Sequence, residues 1–156
     1  MEIERKYLVK DIPEDLEKYS KRVIEQGYLC DNPVVRIRRL DDEYILTYKN
    51  HMSASEDTNT CVNEEVELPL TLSSYEHLKS KVDGFIIEKE RYVIPYANHK
   101  IELDIFKGDN EGLIFAEVEF ESIKAAEEFV PPVWFGENVS GDIRYTNSYI
   151  SKNPFK

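Results

Sequence analysis

Cysteine is scarce in this sequence, and so are histidine, clustered glycine and long apolar runs; each shortage removes a class of answer. Cys30 and Cys61 are the only cysteines, too few for a disulfide framework and without C-x-x-C spacing, so they read as free thiols. His51, His77 and His99 are scattered, which disfavours a histidine-rich zinc site. The 6 glycines nowhere form the loop of a P-loop nucleotidase, so any phosphate cradle must be built from side chains. No apolar run approaches a membrane span, and the first residues are charged where a signal peptide would be greasy. These features predict a cytoplasmic protein. Basic residues are in deficit too: 20 Lys and Arg against 31 Asp and Glu leave a net charge of -11. That balance argues against nucleic acid polymers and anionic membranes as partners, and an anionic ligand would need a local basic site, with metal.

What is present is strand. The 156 residues suit one domain spanning 1–156, with no repeat, low-complexity tract or Pro/Gly-rich linker. Strands are expected from Glu2 to Val9, Arg22 to Leu29, Val34 to Leu40, Glu43 to Lys49, Val62 to Leu68, Phe85 to Pro95, Ile101 to Lys107 and Leu113 to Glu121. Pro13 opens a short helix through about Tyr19. Asn50 to Thr60 reads as an exposed loop. Thr71 and Ser73-Ser74 can cap a helix whose apolar positions Leu72, Tyr75, Leu78 and Val82 recur near the helical period. Further helices are expected at Lys124–Phe129 and within Asp142–Ser151, after an irregular Pro131–Gly141 stretch.

The opening Met1-Glu2-Ile3-Glu4-Arg5-Lys6 puts Glu2, Glu4 and Lys6 on one face of a strand. The same alternation recurs in six later pairs: Arg36 with Arg38, Thr47 with Lys49, Glu65 with Glu67, Lys89 with Arg91, Glu102 with Asp104, and Glu117 with Glu119. Apolar residues hold the opposite face. An antiparallel sheet with a solvated polar surface would look similar. The signs, however, are sorted: the later pairs are almost all purely acidic or purely basic, where a solvated face would mix them. Like charges 4 Å apart repel by about 4 kcal/mol at an effective dielectric near 20, so carboxylates gathered inside a closed sheet require cations. Mg²⁺ or Mn²⁺ suits hard oxygen ligands. Arginine forks and lysine point charges from the same strands would suit an oxygen-rich anion such as phosphate.

The Glu-x-Glu-x-Lys opening, Arg36-Ile37-Arg38, Leu46-Thr47-Tyr48-Lys49, Glu65-Val66-Glu67-Leu68-Pro69, Lys89-Glu90-Arg91-Tyr92, Glu102-Leu103-Asp104 and Ala116-Glu117-Val118-Glu119-Phe120 together resemble the CYTH domain of triphosphate tunnel metalloenzymes, nearly end to end. The resemblance implies an α+β fold: an eight-stranded antiparallel β-barrel tunnel with helices packed outside. It also implies hydrolysis or other processing of a small-molecule triphosphate with Mg²⁺ or Mn²⁺ as cofactor, by a monomer or homodimer. Carried over by position, Glu2, Glu4, Glu117 and Glu119 match metal-binding carboxylates, and Glu65, Glu67 and Asp104 match further acidic tunnel positions; Glu102 matches less closely. Lys6, Arg36, Arg38, Lys49, Lys89 and Arg91 match the phosphate-binding bases. Arg144 in the tail matches an arginine that can reach the phosphates. Glu4, Lys89 and Arg91 are the expected catalytic groups, with Tyr28, in Gln26-Gly27-Tyr28-Leu29, placed either beside Lys89 to support its proton transfers or in plain aromatic packing. Asn63 departs from the pattern, standing where relatives place a base.

The short chain is most similar to the inorganic triphosphatase branch, which implies tripolyphosphate as substrate with some nucleoside triphosphate activity. Adenylate cyclase and thiamine triphosphatase activities use the same tunnel. Tyr44, Tyr48, Tyr92 and Tyr96 could hold a nucleobase or pack outside equally well. A noncatalytic polyphosphate-binding module would need the basic wall but has no reason to keep the acidic set.

Overall fold

The computed structural model describes residues 1–52 and 59–155. Nine strands form one sheet: β1 (Glu2–Val9), β2 (Ser20–Asp31), β3 (Val34–Leu40), β4 (Glu43–Met52), β5 (Cys61–Pro69), β6 (Asp83–Tyr96), β7 (His99–Lys107), β8 (Ile114–Phe120) and β9 (Phe135–Asn138). Their order is β5-β4-β3-β2-β6-β7-β8-β1-β9. Pairing of β1 with β5, Glu2 opposite Asn63 and Glu4 opposite Cys61, closes the first eight into an antiparallel barrel. Beyond that short seam the same edge of β1 is taken by β9, with Tyr7 opposite Asn138 and Val9 opposite Phe135. The expected eight-stranded tunnel is therefore present, with β9 added from a stretch the sequence marks as irregular. Four residues between prolines and a glycine carry too little alternation to announce a strand.

Among the described residues three helices lie outside the sheet: α1 (Leu72–Lys79), α2 (Ile123–Glu128) and α3 (Asn147–Lys152). Thr71 and Ser74 form a reciprocal cap at the start of α1. Tyr75 is its one buried residue, 5.1 Å from the Tyr44 ring and hydrogen-bonded to Glu25. Val82 falls beyond the helix and packs over Gly27, where a Cβ would approach its Cγ1 to 2.7 Å. The helix expected after Pro13 shrinks to a 3-10 turn at Leu16–Lys18, entered by Asp15 with φ 59. β2 and β4 both outrun their sequence patterns, β4 absorbing Asn50–Met52 from the expected loop. Of that loop, residues 53–58 lie outside the described residues. Among the described residues, no helix is long and apolar enough to cross a membrane.

Two apolar clusters hold the barrel. One is external: Tyr7, Ile101, Leu103, Val118 and Phe120 meet Ala126, Phe129 and Phe135. The other fills the end of the lumen, where Tyr28, Ile87, Phe106 and Phe115 meet Ile150 of α3. Register explains the second cluster: Phe115 is opposite Asp104 and Phe106 opposite Lys89, so the inward rows turn from charged to aromatic as they leave the centre. Each large side chain removed from water there contributes about 1.5–3 kcal/mol.

The plug depends on one close approach. Gly84 has φ 69, and a Cβ on it would lie 2.5 Å from the Ser151 carbonyl oxygen of α3. Gly84→Ala is expected to cost about 2 kcal/mol of stability and to speed amide exchange across α3, as urea melts and hydrogen–deuterium exchange would read.

Candidate active site

Strand pairing brings the sorted charges face to face. Lys6 and Glu102 each stand opposite Glu117, Arg91 opposite Asp104, Lys49 opposite Glu65, Thr47 opposite Glu67, and Glu4 opposite Glu119. They enclose a cavity of about 740 Å³ lined by Glu2, Glu4, Lys6, Tyr28, Arg36, Arg38, Lys49, Glu65, Glu67, Lys89, Arg91, Glu102, Glu117 and Glu119. The surface alternative for these rows does not hold: the residues it would leave solvated line an interior space.

The acidic side is arranged around one ammonium. Lys49 Nζ lies 2.9 Å from Glu2, 3.5 Å from Glu65 and 3.9 Å from Glu4. Burial works against the Glu2 charge, but Lys49 outweighs it and holds that carboxyl below its usual range. Asn63 also donates to Glu2 Oε1 at 3.1 Å. Glu4 fares differently: burial and then the Glu117 charge push its carboxyl up to about 8. Glu65 is raised by burial and Glu2, and Glu119 by burial, Glu2 and Glu102. These carboxyls are held together against their mutual repulsion, the condition a divalent cation relieves, and their hard oxygens suit Mg²⁺ or Mn²⁺. The donor set therefore fits a metal. No group of three described His, Cys, Asp or Glu side chains is already drawn in as a cage.

The basic side hangs on Asp104. Arg91 grips it through two bonds of 2.7 and 2.9 Å, and Lys89 Nζ joins at 2.8 Å. Burial opposes the Asp104 charge, yet Arg91 and Lys89 overcome that and hold it ionised well below the usual range. Lys89 gains less, because it shares a carboxylate already bound by Arg91. Burial pulls it down to about 7, with Arg91 and Arg38 adding to the fall against the pull of Asp104. Lys6 pairs with Glu117 at 3.3 Å, donates to the Tyr145 carbonyl at 2.9 Å and lies 4.7 Å from the Phe115 ring centre. Arg36 and Arg38 are only 8% and 9% exposed, and the Nε of each has no hydrogen-bond partner. Burial, Arg36 and Arg91 bring Arg38 down to about 9. Two desolvated guanidiniums, each with its Nε unpaired among the described residues, form a site suited to an anion.

Not every expected residue reaches the cavity. Asp104 is buried behind it, saturated by Arg91 and Lys89, so its place is orienting those bases rather than lining the acidic cluster. Arg144 turns away to Asp142, at 2.6 Å, and is largely exposed; the three-residue 3-10 turn at Ile143–Tyr145 points it outward. Arg91 lines the cavity, with Nε, Nη1 and Nη2 all bound to Asp104 or Glu102. The Tyr28 hydroxyl accepts from Gln26 Nε2 at 3.1 Å, not from Lys89, and its ring joins the plug, the packing reading of it. Glu102 lines the cavity after all. Gln26, fully buried opposite Arg38 with its Oε1 unpaired, is a polar lumen residue the charge pattern misses. Its one signal is its place two before Tyr28. Asn147, whose Oδ1 is 3.4 Å from Lys89 Nζ, gives none.

The CYTH domain family profile matches residues 1–136. An inorganic triphosphatase of Nitrosomonas europaea is 36% identical over 154 residues, covering 96% of each chain. One from Acetivibrio thermocellus is 35% identical over 161 residues, covering 99% of this chain and 96% of its own. A crystal structure of an inorganic triphosphatase superposes with a TM-score of 0.69 at 34% identity, over 97% of this chain and 94% of that one.

Two outcomes follow from the charge arrangement. Asp104→Asn leaves Arg91 and Lys89 without their shared anion and should cost about 3–5 kcal/mol in chemical denaturation. Glu4, raised from 4.5 to about 8, keeps in the folded state a proton that the unfolded chain releases, so its contribution to stability falls as pH rises across that window. In chelated buffer Glu4→Gln should remove the fall, raising stability above the window by up to several kcal/mol and leaving it unchanged below, as pH-resolved thermal melts would register.

Proposed function

The chain belongs to the CYTH domain family, and from that premise we propose that it is a divalent-metal-dependent triphosphatase that removes the terminal phosphate of triphosphate compounds, inorganic tripolyphosphate before nucleoside triphosphates. One observation carries the reading: the buried, unpaired Arg36 and Arg38 share a cavity with the clustered carboxylates Glu2, Glu4, Glu65 and Glu119. A polyphosphate chain with its metal is complementary to both walls at once. Among the described residues Tyr28 is the only Phe, Tyr or Trp lining the cavity, whereas Tyr44 stacks on Tyr75 of α1 and Tyr96 bonds to the Val130 carbonyl. No aromatic clamp for a nucleobase is present among the described residues, which favours a substrate made of phosphate alone over a cyclase substrate. The acidic balance and the two free thiols support a cytoplasmic setting.

Glu2, Glu4, Glu65, Glu117 and Glu119 would hold Mg²⁺ or Mn²⁺, which when bound neutralises phosphate oxygens and makes a coordinated water more acidic. Arg36, Arg38 and Lys6 bind the phosphate chain and stabilise charge on its equatorial and leaving oxygens. Lys89 Nζ, brought by burial to about 7, gives up its proton far more readily than an ordinary lysine, and its neutral form takes the proton of the attacking water. Asp104 and Arg91 fix its direction. Cys61 is not a nucleophile: burial and then Glu4 push its thiol up to about 11.

The experiment is a phosphate-release panel with tripolyphosphate, ATP, thiamine triphosphate and pyrophosphate, each with Mg²⁺ and with Mn²⁺. Orthophosphate should appear fastest from tripolyphosphate, stop with chelator, and fall at least about 100-fold in Glu4→Gln. Lys6→Ala should raise KM. The rate should decline below about pH 7 as Lys89 becomes protonated, and Lys89→Arg should lose turnover rather than shift that limb. No orthophosphate from any triphosphate would leave a polyphosphate-binding module; cyclic AMP and pyrophosphate from ATP would make it a cyclase.

A further inference from the structure

We infer that Lys49 is the resident cation of the acidic cluster, that a divalent ion enters by displacing its ammonium, and that the displaced Lys49 turns to the phosphate chain. This rests on the proposed reading of the cluster as a divalent-cation site. Lys49 Nζ sits among Glu2, Glu65 and Glu4 at 2.9, 3.5 and 3.9 Å. A divalent ion bound to the same carboxylates at about 2.0–2.1 Å would fill the space that the ammonium now fills. The two are alternatives.

Lys49 also has somewhere to go. On β4 it stands opposite Glu65 on one side and Val34 on the other, with Arg36 two residues along β3 from Val34. The residue lies at the border of the two walls, and its four-carbon stem lets the ammonium swing without moving the strand. Toward Arg36 it meets like charge, so that position is favourable only when an anion lies there. Metal in the cluster and phosphate on the arginines thus each favour the same position of one side chain, which couples their binding reciprocally. A fixed structural ion pair would give no such coupling.

The test is Mn²⁺ binding without phosphate at about pH 8, read from the free-ion EPR signal, in wild type, Lys49→Gln, Lys49→Arg and Lys6→Gln. Lys49→Gln should bind Mn²⁺ at least about tenfold tighter than wild type, with Lys49→Arg and Lys6→Gln within about threefold of it. Lys6→Gln removes the same charge from the same cavity, at Glu117; an equal gain there would show a general field effect and overturn displacement. Independently, the ammonium ¹H–¹⁵N signal of Lys49 in wild type, identified by its loss in Lys49→Arg, should shift or vanish on saturation with Mg²⁺; an unchanged signal overturns the inference even if Lys49→Gln fails to fold. Mn²⁺ binding that Lys49→Gln does not tighten refutes only the role of Lys49. If neither wild type nor Lys49→Gln binds Mn²⁺, the cation-site reading falls with it.

Discussion

A charge enclosed by a barrel has no water to lean on, so each must find its opposite or be held for a ligand that brings one. Asp104 is where this protein meets the first demand. It binds Arg91 through both oxygens and Lys89 through one, tying the neighbouring strands β6 and β7 together on their lumen face. Asp104, Glu102 and Glu117 meet Lys6, Lys89 and Arg91, and Lys49 is met by Glu2 and Glu65; what is left for a ligand is Arg36 and Arg38. The division between satisfied and unsatisfied charge separates scaffold from site.

The apolar clusters make that division affordable. Outer packing under α2 fixes β1, β7 and β8, which carry Glu2, Glu4, Glu117 and Glu119, and the aromatic plug fixes the lumen end near Lys6 and Lys89. Phe115 and Phe106 lie beneath those lysines, 4.7 and 5.3 Å from the two ammonium nitrogens. The same rings that exclude water bring their ammonium groups into a medium where burial matters, most visibly at Lys89. Packing and acid–base tuning are here one arrangement.

Alternation in the sequence carries the barrel, because a period of two is legible residue by residue and the signs of the charges name which face turns inward. Eight strands and the lumen positions follow from it. β9 and the 3-10 turns are not legible: they are short and set by what they pack against, as β9 is by the free edge of β1. The site divides likewise. Residues on regular strands, from Glu2 to Glu119, could be placed by parity alone, but parity does not say how deep along the lumen a side chain lies. Hence parity puts Asp104 and Glu102 on one face and the resemblance favours Asp104, although Asp104 is sealed behind Arg91 and Glu102 is the one that reaches the cavity. Arg144 and Asn147, on irregular or barely helical segments, have no period to read at all.

The edge of β1 is divided between two partners, β5 at Glu2–Glu4 and β9 at Tyr7 and Val9, while its other edge runs along β8. Strand β1 comes first along the chain, yet its partners come from the middle and the end. Its register therefore cannot be completed until the most distant segments have been formed, which places barrel closure late in folding and makes it slow, as expected for pairings of large sequence separation. Glu2, Glu4 and Lys6 ride on that strand, so the two walls come together only on closure. An incompletely folded chain has the carboxylates or the arginines exposed to water, but no enclosed space in which their opposition matters.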